Sequence, residues 1–345
     1  LCTNNLPSVD VIPSEHFNTV LYTGNGANNH AITGVGFLAD FVWTKSRSSS
    51  DSHTLQNSVA GVAQNMSSNG TQAEGANARL SSFDTDGFTL TNNTGANGGS
   101  KTFVAWNWKA GGTAVSNTNG SITSSVSANP SAGFSIVSYT GNGTAGATVG
   151  HGLSSAPEMM IIKSRSDGAV DWGVYHTALG PTKWVRLNLT SASATASNVW
   201  NNTAPTSSVF SLGSGGHLNG SSDTEIAYCF HSVDGYSKIG SYKGTTVNAG
   251  SFVHTGFKVA FVLIKTMFDG DPWVMMDAAR DPYNVATKRL RSDSSAAETT
   301  DAQLTCDFLS NGFKPYGNSY HINGNGQTYL YMAFAESPFK HTNAR

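Results

Sequence analysis

The sequence predicts an all-β protein made of three tandem homologous β-sandwich domains, jelly-roll-like, with about seven to nine strands in each. Three observations carry this expectation. Apolar residues alternate with a period of two in short segments bounded by Gly, Asn and Ser; helical periodicity is thin; and one set of landmarks recurs three times in the same order. At 345 residues the chain exceeds the roughly 100–200 residues of an ordinary domain.

Each unit opens on a strand that runs into a Gly-rich turn: Val20-Leu-Tyr-Thr-Gly-Asn-Gly26, Val137-Ser-Tyr-Thr-Gly-Asn-Gly143 and the looser Gly240-Ser-Tyr-Lys-Gly244. Asn and Gly tolerate positive φ, so the turn reads as a hairpin connection. A Gly followed by an apolar residue comes next, at Gly36-Phe37, Gly152-Leu153 and Gly256-Phe257. Then follows a strand ending in lysine: Phe41-Val-Trp-Thr-Lys45, Met159-Met-Ile-Ile-Lys163 and Phe261-Val-Leu-Ile-Lys265. It is apolar on both faces, which predicts a central strand whose Lys emerges at the rim. Each unit closes with an alternating segment, Thr102 to Trp108, Thr224 to Phe230 or Thr328 to Phe334. The lysines stand at 45, 163 and 265 and the closing threonines at 102, 224 and 328, so order and spacing agree.

Units of this length can each own a core. Residues 1–16 read as a linker from a missing upstream part, in line with a chain that begins at Leu1. The domains are then 17–112, 133–235 and 236–340, with a Ser/Asn/Gly-rich linker at 113–132 and a tail at 341–345. Units two and three, joined by almost no linker, should pack as a rigid pair. A turn or two of helix is expected within 278–290 and 294–304.

Composition narrows the function. Only 12% of residues are charged, about half the ~25% of ordinary soluble domains, so Ser, Thr, Asn and Gly wet the surface. With 20 basic against 22 acidic residues and no Lys/Arg run, nothing holds a polyanion, and nucleic acid is excluded as a partner. No apolar run approaches the roughly 20 residues of a membrane-spanning helix. Cys2, Cys229 and Cys306 have neither disulfide nor zinc spacing.

Motifs that usually carry chemistry fail on context. Gly141-Asn-Gly-Thr-Ala-Gly146 matches a dinucleotide turn, but a strand rather than a helix follows. Asp84-Thr-Asp-Gly87 and Asp269-Gly-Asp271 lack the remaining ligands of a calcium loop. Ten histidines form no metal spacing, no Gly-x-Ser-x-Gly marks a nucleophile, and the few Glu residues hold no matched place across units. The reading is therefore no catalytic residue, no metal and no cofactor. Trp43, Trp172 and Trp273 lie in apolar strand contexts and read as core. Trp184, Trp200, Tyr283, Tyr316 and Tyr320 lie in polar, turn-rich surroundings and read as exposed platforms for stacking sugar rings.

Longer landmarks point to a family. The Tyr-Thr-Gly-Asn-Gly turns, Lys163-Ser-Arg165, Trp200 to Phe210, Gly235 to Tyr242, Arg280-Asp-Pro-Tyr-Asn284, Asp307 to Phe313 and Tyr331 to Glu336 are among them. Together with the opening Leu1 to Pro7, they resemble a repetitive C-terminal region of virion proteins of tailed bacteriophages, especially marine ones. The resemblance implies a tail fibre or related surface appendage, located in the virion and outside the cell, without catalytic residues of its own. It implies a homo-oligomer, a trimer by analogy with phage fibres, contacts with other virion proteins, and attachment to a bacterial surface glycan. Two alternatives remain open at this point: a depolymerase that cuts such a polysaccharide, and a purely structural filament or decoration subunit.

Overall fold

The computed structural model describes residues 11–245, 250–268 and 270–338. Cys2, most of the 1–16 segment, Asp269 and the 341–345 tail lie outside the described residues. The protein is all-β: the alternating segments form strands, and the helices among the described residues are single turns. None falls within 278–290 or 294–304, where Pro282 and a run of Ser and Ala give turns and short strands instead.

One four-strand order occurs three times. The opening strand pairs with the closing strand, the closing strand with the lysine strand, and the lysine strand with the next one. From one side of the sheet to the other these are Phe17–Thr23, Thr102–Trp108, Phe41–Ser46 and Thr54–Asn57; Phe134–Thr140, Thr224–Phe230, Met159–Ser164 and Gly173–His176; and Ser237–Lys243, Thr328–Pro338, Phe257–Thr266 and Val274–Asp277. Register agrees as well, with Lys45 opposite Val104, Lys163 opposite Ile226 and Lys265 opposite Leu330. A smaller sheet accompanies each: His30–Thr33 with Gly87–Leu90 and Leu80–Asp84, Ala147–Gly150 with Val209–Leu212, and Val253–His254 with Gly312–Tyr316 and Thr305–Leu309.

Alternation along the closing strand explains how these layers pack. In the first unit Ala105 faces a local core with Val42 and Phe88, between the larger and the smaller sheet. Trp106 and Trp108 face the other way, into a second core that also contains Phe134, Phe230, Phe261 and Phe334. Each unit thus owns a local core, as the sequence suggests, and shares a central one with both others. At its heart the equivalent closing-strand residues Trp108, Phe230 and Phe334 form a triangle with ring centroids 6.5, 6.0 and 5.6 Å apart. Units two and three are therefore not a separate rigid pair, because unit one closes the ring.

Polar bonds close the ring with the same repetition. Trp172 donates its indole N–H to the Ser67 carbonyl (3.0 Å) and Trp273 donates to the Arg186 carbonyl (2.8 Å). At the matching place His53 Nε2 lies 2.9 Å from the Arg291 carbonyl. These bonds run from unit two to one, three to two and one to three. Burial keeps His53 neutral, its pKa pushed down to about 3. Two ion pairs reinforce the junctions: Arg165 with Glu74 at 2.7 Å, and Arg47 with Glu298 at 2.9 Å.

Three further expectations are corrected. Residues 113–132 are not a linker: Val115–Asn117 and Ser124–Asn129 extend the second unit's sheet beyond its opening strand. Ser124 and Val126 turn inward there, on a strand paired on both sides that needs no aromatic to do so. The Tyr-Thr-Gly-Asn-Gly turn is not a hairpin, because it carries the chain from the larger sheet to the smaller. It is pinned instead by the last residue of a one-turn helix, with Asn25 N donating to Asn97 Oδ1 and Asn142 N to Asn219 Oδ1. A Cβ on Gly24, Gly141 or Gly244 would come within 2.4 Å of a backbone oxygen, so the motif glycine is required for close approach. Finally, the lysines do not emerge. Lys45 and Lys163 are fully buried, each donating to two backbone carbonyls, and desolvation pulls both down to about 8.

One position breaks the repetition. Phe103 stacks on Tyr22 and Tyr329 on Tyr242, at 5.1 and 5.0 Å, but in the second unit the residue opposite Tyr139 is Glu225. It is fully buried, with neither oxygen in a hydrogen bond. Burial, helped by Asp223, pushes its pKa up to about 9 against the pull of Lys163. The carboxyl ionises near 4.5 when unfolded and near 9 when folded, so stability falls as pH rises through that window, by about 3 kcal/mol at pH 7. Glu225→Phe, which restores the ring found in the first unit, should raise the urea midpoint at pH 8 and change it little at pH 4. Equal effects at both pH values would contradict this reading of the site.

Candidate functional site

The five aromatic residues picked from sequence separate into two groups. Trp184 and Trp200 are buried, at 3% and 1% exposure, and so are not platforms. Trp184 packs against His217 (5.2 Å) under the Arg186 guanidinium (4.4 Å), and Trp200 meets Tyr175 edge-on at 5.7 Å. Trp184 lies in the strand Lys183–Arg186 and Trp200 closes the one-turn helix Ser197–Trp200, so residues distant in sequence cover rings whose local composition is polar. Tyr283 and Tyr320 are exposed, at 81% and 61%, while Tyr316 is half-buried with its hydroxyl on Asp307 Oδ1 at 3.0 Å.

Tyr283 stands on a braced loop. The Asp281 carboxylate accepts from the backbone N–H groups of Thr287 and Lys288 (2.8 and 2.7 Å), closing the loop at its base. Asn284 Nδ2 donates to the Phe308 carbonyl (3.0 Å), and the Phe308 N–H donates back to Asn284 Oδ1 (2.9 Å). Beneath, Arg280 is buried, donating to Asp277, Glu298 and the Met275 carbonyl. Arg280-Asp-Pro-Tyr-Asn284 is thus a device that holds an aromatic ring out in water. Tyr283 and Tyr316 flank the same strand, Thr305–Leu309, through Asn284 and Asp307; Tyr320 opens the one-turn helix Tyr320–Asn323.

Sequence reasoning missed two further exposed aromatics, Phe252 and Phe268. Among the described residues every strongly exposed aromatic lies in the third unit. Counting from the lysines, Phe268 stands where the other units have Ser48 and Ser166. By sheet register Phe252 replaces Ala31 and Thr148, and by helix position Tyr320 replaces Thr94 and Gly216. The signal that would have found them is small-to-aromatic replacement at aligned places in the repeats.

Other chemistry does not converge. Among the described residues no three His, Cys, Asp or Glu side chains cluster in a way that could hold a metal ion. Asp86 accepts from Gly34 N and Gly36 N at 3.1 and 2.6 Å, so its carboxylate ties a turn to a neighbouring loop. Cys229 and Cys306 are buried and unlinked, and burial pushes the Cys229 thiol up to about 12. The arrangement offers rigid, water-exposed rings with hydroxyl and amide groups beside them, which suits stacking on apolar faces of a polyhydroxylated ligand.

Residues 12–338, a span that takes in all three units, match the family described as domain of unknown function DUF7483, and the chain belongs to that family. No curated protein and no solved structure matches the chain.

The division between buried and displayed rings is directly measurable. Trp200→Ala removes a fully buried ring and should cost about 3–5 kcal/mol in urea unfolding, whereas Tyr283→Ala should stay within about 0.5 kcal/mol. A large loss for Tyr283→Ala would mean that the loop ring supports the fold rather than facing water.

Proposed function

Taking that membership as the premise, we propose that the chain is a non-enzymatic bacteriophage virion protein, a tail fibre or surface appendage, that attaches to a bacterial surface glycan. In this reading the three units are homologous jelly-roll-like β-sandwiches, the first two serving as scaffold and the third as binding face. The observation that carries it is that, among the described residues, the strongly exposed aromatics all lie in the third unit, in a chain rich in Ser, Thr and Asn. A scaffold repeated three times gains nothing in stability from exposed rings in one copy, whereas a binding face does. The motif resemblance to phage appendages supplies the location, outside the cell and on the virion, and the company of other virion proteins. A homo-oligomer, a trimer by the same analogy, enters on that resemblance alone.

Attachment of this kind needs no cofactor and no nucleic acid, and its affinity comes from stacking and neutral hydrogen bonds. Single sites are weak, and several copies on one particle multiply avidity by about 10²–10⁴. Tyr283→Ala and Tyr320→Ala should each weaken binding of the full chain to host cells, with the fold intact by circular dichroism. Binding should be insensitive to Ser48→Ala, the unit-one counterpart of Phe268. Release of reducing sugar from host envelope would favour the depolymerase instead, and unchanged adhesion in both tyrosine variants would remove the reading.

A further inference from the structure

One edge of the larger sheet meets a different end in each unit. The opening strands Phe17–Thr23, Phe134–Thr140 and Ser237–Lys243 are equivalent, because Phe17, Phe134 and Ser237 lie opposite Trp108, Phe230 and Phe334. Every second residue of such a strand turns its backbone groups away from the closing strand. In the first unit His16 O accepts from Lys109 N and Gly24 N donates to Lys101 O, so alternation leaves Thr19, Leu21 and Thr23 facing outward.

In the second unit Ser124–Asn129 fills that side, with Ser127 opposite Ile136 and Ser125 opposite Ser138. The added strand also lies on the residues that follow the first unit's closing strand. Gly111 N donates to Ser127 Oγ (3.0 Å), and Asn129 Nδ2 donates to the Lys109 carbonyl (3.2 Å). In the third unit the short joint to the second fills the side: Ser237 and Val233 exchange both backbone bonds, and Ile239 N donates to Ser232 Oγ (3.0 Å). That strand also carries Lys238 and Lys243, and lysines on an edge discourage pairing.

The first unit has neither device. Among the described residues no strand pairs with the outer side of Phe17–Thr23. Thr19 N is taken by Asn18 Oδ1 at 2.8 Å, but Leu21, the equivalent of Ser138, is 38% exposed. The strand contains no charge, proline or glycine. Where Ser127 to Asn129 lie in the second unit, the first has a groove of about 330 Å³ beside Phe17 and Thr19. Its far wall is the third unit: Ala335, which stands where Lys109 stands, with Ala260, Ala278 and Ala279. Glu336, which also lines it, is paired with Lys258 at 2.7 Å. A second copy would bring its own third unit along with its edge, whereas a single extended segment needs no such room.

We propose that this groove is a docking slot for an extended segment of a partner protein, which adds as a strand to Phe17–Thr23. The segment it fits is uncharged and alternates small hydroxyl residues with small apolar ones, as Ser124–Asn129 does in the equivalent place. The slot is separate from the exposed rings of the third unit, and the loss of either reading leaves the other standing.

The test uses the full chain and a synthetic peptide of residues 122–131, which by the second unit's register sets Ser127 opposite Thr19 and Ser125 opposite Leu21. The backbone amides of Leu21 and Thr23 should exchange rapidly in the chain alone and at least about 10-fold more slowly at saturating peptide. A peptide carrying Ser127→Pro, which lacks the N–H aimed at Thr19, should bind at least about 10-fold more weakly by calorimetry. The same loss is expected for the unaltered peptide on a Leu21→Pro chain, where proline removes an outward N–H and no bond of the sheet. Should that variant unfold, the two peptides on the unaltered chain still decide. No added protection at Leu21 and Thr23, or equal binding of both peptides, overturns the slot. Amides already protected before peptide is added also overturn it: protection lost on dilution assigns the edge to a second copy, and protection that persists assigns it to the chain's own residues.

Discussion

Every larger sheet in this protein has two apolar faces, and both must be covered. The smaller sheet of the same unit covers one face. For the other the chain has only itself, and three copies of the arrangement meet back to back around Trp108, Phe230 and Phe334. The rest follows from that requirement. Lysine strands become central and fully buried, so their ammonium groups end on backbone carbonyls instead of water. Residues between the strands reach across each junction, where an indole or imidazole nitrogen meets a carbonyl of the neighbouring unit.

A closed ring also divides labour among copies of one scaffold. Once the interior is shared, the outward residues of each copy are released from the repetition. The first two units use that freedom for Ser, Thr and Asn, and the third for Phe252, Phe268, Tyr283 and Tyr320. The same divergence operates inside the cores, where Glu225 occupies a place that holds a ring in both sister units. The third unit's exposed rings and the buried Glu225 are thus both departures from the repeat.

Strand type and the repeated landmarks were legible in the sequence because period-two alternation and Gly-Asn turns are local signals. Shared burial was not. Phe103, Ala105 and Trp106 alternate in the same way whether the outer face meets water, a partner chain or a sister unit, and nothing local distinguishes these cases. The same limit placed Trp184 and Trp200 on the surface: their neighbours in sequence are polar, while their neighbours in space are His217, Arg186 and Tyr175. Residues 113–132 looked like a linker because a Ser-rich strand carries little apolar contrast. Tyr283 and Tyr320 were placed correctly because each sits next to a turn whose residues brace it from the backbone.

The central claim is that the three units form one cooperative body around a shared core, and differential scanning calorimetry of the full chain tests it most directly. The account predicts a single transition whose calorimetric and van't Hoff enthalpies agree, and no cooperative transition in a fragment of residues 17–112, which would leave Trp106 and Trp108 in water. Three resolved transitions, or a fragment that melts cooperatively on its own, would contradict it.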